Sequence, residues 1–305
     1  MDNIQKNLLE QVADLHGIPE GAYNIRANGE SAARSTTANI DIITKTDKQG
    51  IDIKVKDGTK NQSLHIPVII SKTGLREMVY NDFYIGEDCD ITIVAGCGIH
   101  NTGDDSSSHD GIHSFYVGKN SRVKYIEKHY GEGDGNGENI MNPTTVIELS
   151  DGAYMEMDTV QIKGINSTDR KTTATLADNA TLIIREKLMT HGNQTANTDF
   201  TVDLNGENSS ANLISRSVAR DDSRQVFLSR MNGNNACTGH SECDAIIMDR
   251  ASVSAIPDVT ANNVNASLIH EAAIGKIAGE QLTKLMTLGL TEEEAEEQIV
   301  NGFLK

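Results

Sequence analysis

Tryptophan is missing from these 305 residues, and aromatic side chains of all kinds make up only 4% of them. A core without large rings must be filled by Ile, Val, Leu, Ala and Met, which suits a thin, regularly layered interior. Cysteine is scarce, four in all, so no disulfide framework is expected and a reducing cytoplasm is the default compartment. Basic residues are outnumbered, 27 Lys and Arg against 44 Asp and Glu, giving a formal net charge of −17. That balance argues against a nucleic-acid partner, which needs a basic face. The one basic cluster noted, Arg216, Arg220, Arg224 and Arg230, is diluted by Asp221 and Asp222 and reads as solvated surface. No apolar run approaches the roughly 20 residues of a membrane span, and the N-terminus lacks the basic-then-apolar order of a secretory signal. Enzyme signatures are missing as well. There is no G-x4-G-K-[ST] and no G-x-G-x-x-G, and H-E-x-x-H fails because Ile274 stands where the second His belongs.

What is present is periodicity. Ile4, Leu8, Leu9, Val12 and Leu15 fall on one helical face, ended by Gly17 and Pro19. Residues 20–37 are small and polar and read as a linker, so that 1–37 form an N-terminal helix and linker. From about residue 38 the pattern alternates, as in Ile51-Asp52-Ile53-Lys54-Val55. Leu75–Tyr80 fits no single period. Short alternating strands introduced by Gly/Asp/Asn turns then recur at Gly86, Gly118, Ser150, Ala177, Asn205 and Asn232, with spacings of 32, 32, 27, 28 and 27 residues. Such a period without room for a long helix predicts a β-solenoid over 38–268, an ordinary β-sandwich being the alternative. Leu282, Leu285, Met286 and Leu288 mark a further helix. Thr291 with Glu294 forms a capping box for a last one, whose stripe is Ala295, Ile299, Val300 and Phe303. This 269–305 helical segment either caps the solenoid or docks a partner.

Chemistry concentrates near the end. C-T-G-H-S-E-C-D runs from Cys237 to Asp244, and His270–Glu271 follow 27 residues after Cys243, about one coil later. Thiolate, imidazole and carboxylate one coil apart are a candidate metal or iron–sulfur set: Cys237, Cys243 and Glu271, with His240 and His270 as alternates. On a strand, residues 270 and 271 would point to opposite faces, and only one would share the side of Cys243. Cys97, His100, His109 and His113 form a second concentration, which reads as a surface loop. Cys97 would lie about five coils, hence about 24 Å, from Cys243. Cys89, in a turn before a strand, reads as structural.

These residues also carry a resemblance. H-E-A-A-I-G-K-I-A-G-E-Q-L from His270, L-M-T-L-G-L-T-E-E-E-A from Leu285, I-V-N-G-F from Ile299 and C-D-A-I-I-M-D at Cys243 closely resemble the end of the SufB/SufD proteins. G-C-G at Gly96 and Ile112-His113 are similar to that family's G-C and L-H positions. I-P-E-G-A-Y-N-I-R-x-N-G at Ile18 resembles the short SufB-like proteins of minimal archaeal and anaerobe systems. The resemblance implies a right-handed parallel β-helix (solenoid), mainly β, with short N-terminal and C-terminal helical segments. It implies a non-catalytic scaffold for a transient iron–sulfur cluster, [4Fe-4S] being expected, working with a SufC-like ABC ATPase and handing clusters to recipient apo-proteins. Pairing would be as a homodimer or with a SufB/SufD paralogue. By position, Cys243 matches the cysteine proposed as cluster ligand and His270–Glu271 match the H-E pair. Cys237 and His240 belong to the short variant. The chain ends soon after Gly302-Phe303, where longer members continue with a helical tail. A structural zinc or iron site on the same residues is the competing reading.

Overall fold

The computed structural model describes residues 2–17 and 19–305. Ile18, on which the I-P-E-G-A-Y-N-I-R stretch opens, lies outside the described residues. Helix α1 (Asn3–Ala13) begins with Asp2 and Gln5 in a capping box. An antiparallel hairpin follows, β1 (Ala22–Ala27) and β2 (Glu30–Ser35), then β3 (Ile40–Thr44) and β4 (Gly50–Val55). The segment read as a linker is therefore a hairpin. Its polar residues mislead because Asn24 and Arg26 are buried with hydrogen-bond partners: Asn24 Oδ1 accepts from Arg34 Nε at 2.8 Å, and Arg26 Nε donates to Glu77 at 2.8 Å.

The chain then winds through β5 (Lys60–Ile70), β6 (Arg76–Ile85), β7 (Asp90–His100), β8 (Ser107–Val117), β9 (Arg122–Glu132), β10 (Asn139–Met141) and β11 (Thr144–Leu149). It continues through β12 (Tyr154–Lys163), β13 (Ser167–Leu176), β14 (Thr181–Thr190), β15 (Thr195–Leu204), β16 (Ser210–Ala219), β17 (Arg224–Gly233), β18 (Thr238–Ile247), β19 (Ser252–Ala261) and β20 (Ser267–Gly275). Successive strands alternate between two sheets. One runs β2-β1-β5-β7-β9-β12-β14-β16-β18-β20; the other runs β19-β17-β15-β13-β10-β8-β6-β4-β3, with β11 continuing the line of β10. Beyond the two antiparallel pairs at the start, every pairing is parallel. The result is the expected mainly β fold, a β-solenoid of about eight turns with three short helices at its termini. Strands extend to Gly275, so His270 and Glu271 stand on the last coil rather than in the helical segment.

One corner shows why turn residues carry the period. Asp88, Asn120, Asn179 and Asn208 have φ between 52° and 57°, and Gly152 at 68° takes the same place on the intervening coil. Asn, Asp and Gly tolerate this left-handed backbone best. Between corners the strands alternate, and their inward side chains make one continuous apolar core from Ala22 to Cys243.

Helices cover the flanks. Helix α1 lies on the sheet containing β7, where a Cβ on Gly96 or Gly98 would run into Val12 and Leu8. At the other end, α2 (Gly279–Thr287) and α3 (Glu292–Phe303) form a helical pair. Val300 and Leu304 bury themselves with Val218, against Met189, Ile246 and Phe303. The apolar stripe of α3 thus seals the outer flank of the solenoid, and the final coil stays open. Among the described residues, no helix is long and apolar enough to cross a membrane.

Candidate functional site at the open end

Strand β18 sorts the candidate residues by parity. Gly239, Ser241, Cys243 and Ala245 face inward and are buried; His240, Glu242 and Asp244 face outward. The register with β20 sets Ser241 opposite His270, Glu242 opposite Glu271 and Cys243 opposite Ala272. His270 therefore shares the inner face with Cys243, and Glu271 belongs to the outer face with His240. Cys243 and His270 are offset by two residues along the strand and one strand across, about 6.6 Å by 4.8 Å.

Each half has its own electrostatics. Burial, with a smaller effect from Glu186, pushes the Cys243 thiol up to about 12, so the apo protein holds it protonated. His270 Nδ1 is buried without a hydrogen-bond partner among the described residues. Burial, helped by His240, lowers its pKa and keeps the ring neutral and able to donate a lone pair. Outside, His240 Nδ1 lies 3.1 Å from the amide oxygen of Asn212, an acceptor-only atom, so Nδ1 carries the proton. Its Nε2 faces the Glu271 carboxylate, 3.7 Å away. This carbonyl-oriented imidazole is the usual preparation of a metal-binding histidine.

Cys237 does not join either half. It is buried just before β18, six residues from Cys243 with the same inward parity, which on a strand separates the two by about 20 Å. One ion cannot take both thiolates of one chain, and the expectation that C-x2-H-x2-C gathers at a point fails because the segment is extended. Among the described residues, no three His, Cys, Asp or Glu side chains converge on one point.

Sequence reasoning missed the interior. Cys97, His109 and His113 are buried on β7 and β8, not on a surface loop. The alternation His109, Gly111, His113, Phe115, Val117 was the available signal, hidden by the polar Ser and Asp between. Cys97 does lie five strands from Cys243. Asn81 Nδ2 faces His113 Nε2 at 3.3 Å; His113 Nδ1 meets the Tyr125 hydroxyl at 2.8 Å, which donates to Glu127 at 2.9 Å. That direction requires the His113 proton on Nδ1. Burial lowers His113 to about 4, so it is neutral. Burial alone would raise the Glu127 carboxyl, but Arg170 and His129 hold it well below the usual range. Arg170, itself buried, donates to Glu127 at 2.7 Å and approaches Glu186 at 3.6 Å. Thr198 and Ser215 hydroxyls donate to Glu186 at 2.9 and 2.8 Å. Glu127, Thr159, Glu186, Ser215 and Cys243 are successive register partners. A polar row, one residue per coil, thus runs along the inner wall to the Cys243 thiol.

The SUF system FeS cluster assembly SufBD core domain matches residues 76–303. An iron-sulfur cluster assembly SufBD family protein of Methanocaldococcus jannaschii is 29% identical over 255 residues, covering 83% of this chain and 79% of that protein. A family protein of Pyrococcus horikoshii is 30% identical over 261 residues, 83% of this chain and 77% of its own length. One of Methanothermobacter thermautotrophicus is 29% identical over 262 residues, 84% of this chain but 62% of that longer protein.

Proposed function

Since this chain belongs to the SufBD family of iron–sulfur cluster assembly proteins, we propose that it is a scaffold that holds a nascent cluster at the open end of its solenoid. The observation that carries this is the pairing of Cys243 and His270 on one inner face, with His270 Nδ1 buried and unpartnered. Thiolate and imidazole are donors suited to iron. Proton loss from Cys243, disfavoured in the apo protein, is driven by metal binding itself. His240 and Glu271 form the outer rim of the same coil. Cys237 is left as a core residue.

Cluster ligation needs more donors than the described residues of one chain bring together, and a second copy is the source we favour. The last strands support it: β19 and β20 are largely exposed, with Ile256 and Ile269 about half exposed. Open apolar edges invite pairing, and a two-fold dimer would bring two such ends together. A SufB/SufD paralogue would meet the same edge. For the ATPase partner, a SufC-like subunit, the fitting surface is α2. It buries no residue and exposes Met286, with Leu288 exposed at its C-cap, whereas the α3 stripe is occupied by the solenoid. Recipient apo-proteins complete the reading. As boundaries we propose 1–37, 38–268 and 269–305, with β1 and β2 inside the first and β20 crossing into the last.

Anaerobic reconstitution with iron and sulfide tests the scaffold. The parent should turn brown with labile sulfide. Cys243→Ala should hold less than a tenth as much, while Cys237→Ala stays near the parent. Equal loading of Cys243→Ala refutes the assignment, and a colourless zinc-loaded protein favours the structural-metal reading.

A further inference from the structure

Inside the solenoid, between β7, β8 and β9, lies a cavity of about 20 Å³. That is room for a water-sized occupant and too little for an organic ligand. Cys97, His109, Gly111, His113, Glu127 and His129 line it, and every side chain among them is buried. Cys97 and His129 are register partners on adjacent coils, while His109 and His113 reach in from the facing sheet. Sulfur, imidazole and carboxylate donors therefore surround one enclosed space.

The two histidines of β8 are oriented alike. His109 Nδ1 has no hydrogen-bond partner among the described residues and faces the Glu77 carboxylate at 3.7 Å. A carboxylate in that place favours the proton on Nδ1. His113 carries its proton on Nδ1 as well, donated to Tyr125 and tied through it to Glu127. Both lone pairs are thus on Nε2, and both Nε2 atoms border the notch left by Gly111. A Cβ on that glycine would stand 3.2 Å from the first and 3.3 Å from the second. An imidazole with Nδ1–H turned to a carboxylate and Nε2 turned to open space is built as metal-binding histidines are. Asn81 Nδ2 stands 3.3 Å from His113 Nε2, beyond the usual length of a hydrogen bond. Its Oδ1 is buried without a partner, so a half-turn of this amide exchanges a weak donor for an oxygen that a cation can take.

Charge points the same way. The interior buries three carboxylates, Glu77, Glu127 and Glu186, against two guanidiniums, Arg26 and Arg170. A negative charge is left over, and buried charge is costly unless it is compensated. A divalent ion held by a single thiolate supplies the missing positive charge.

We propose that Cys97, His109 and His113 hold a divalent transition-metal ion in this cavity. A thiolate with two imidazoles suits zinc, cobalt(II) or iron(II), and it does not suit magnesium or calcium. The side chains stand apart in the structure, where no three donors among the described residues converge, and they close on the ion by turning into the notch. As the sulfur–metal bond forms, the thiol proton of Cys97 leaves to solvent. This site does not rest on the cluster reading, since Cys243 lies five strands away.

Cobalt(II), titrated anaerobically into the reduced full chain and followed by absorption, is the probe, with zinc and magnesium as competitors. In Cys237→Ala/Cys243→Ala, which lacks both thiols near the open end, a sulfur-to-cobalt charge-transfer band should still saturate at a single equivalent. Adding Cys97→Ser should abolish it. His109→Gln and His113→Gln should each weaken binding by about tenfold or more. Gly111→Ala removes no donor and sets a methyl group between the two Nε2 atoms. It should weaken cobalt by about tenfold or more while the circular dichroism of the metal-free chain stays that of the parent. Zinc should displace cobalt, and magnesium should not. A band that survives Cys97→Ser, equal affinity in Gly111→Ala, or displacement by magnesium overturns the site. So does absence of the band from a Cys237→Ala/Cys243→Ala chain that keeps the parent's circular dichroism.

Discussion

Arg170 is the position at which the interior can be tested most sharply. Its guanidinium is 3% exposed and stands between Glu127 and Glu186, at 4% and 5%. Arg170→Leu keeps much of the volume but leaves two carboxylates buried without their cation. Breaking a buried pair in this way costs about 3–5 kcal/mol at neutral pH. With a urea m-value of roughly 3 kcal/mol/M, the unfolding midpoint should fall by about 1–1.7 M. The pH dependence separates lost charge from lost packing. In the parent, Arg170 and His129 hold Glu127 ionised against the effect of burial. Without the arginine, burial raises the carboxyl above its ordinary value. Stability from a raised carboxyl is fully present below the unfolded pKa and is lost as pH climbs through the folded one. The deficit of the variant should therefore shrink between pH 7.5 and 5, by up to about 1.4 kcal/mol for each unit by which the carboxyl is raised. Circular dichroism in urea at several pH values measures it, with Arg170→Leu/Glu127→Gln expected to recover part of the loss. A deficit below about 1 kcal/mol, or one that does not shrink on acidification, would refute the reading of this row as an ion-paired core.

His113 makes a separate prediction of opposite origin. Its folded pKa of about 4 lies below the ordinary 6.5, so its contribution, about 3 kcal/mol, is present above pH 6.5 and lost as pH falls toward 4. His113→Gln should flatten that part of the acid unfolding profile, and an unchanged profile counts against it. At the other end of the chain, Met286→Ser with Leu288→Ser should weaken capture of the proposed SufC-like ATPase while the thermal midpoint stays put. Val300→Ala, which empties a buried contact with Val218, should lower the midpoint instead, in line with a core truncation of about 0.5–3 kcal/mol. Reversal of those two outcomes would return the docking role to α3.

Local chemistry alone determined the solenoid. Gly, Asn and Asp at the corners and apolar side chains at every second position recur because each coil meets the same steric demands, so the period is written in composition. The capping box at Thr291 and Glu294 was legible for the same reason, since it needs only residues three apart. Parity on a strand is also local, and it already required His270 and Glu271 to part. Which of them joins Cys243 depended on the register between β18 and β20, a relation between coils that no single segment contains. Register likewise put Glu127, Glu186 and Cys243 in one row. Asn24, Arg26, His109 and His113 looked like surface because polar residues usually are. Only the tertiary structure supplies the hydrogen-bond partners of Asn24, Arg26 and His113, with Arg34, Glu77, Asn81 and Tyr125 among them, and sets His109 3.7 Å from the Glu77 carboxylate. The α3 stripe announced a packing surface in the sequence, and the flank formed by Val218 and Ile246 decided where it packs.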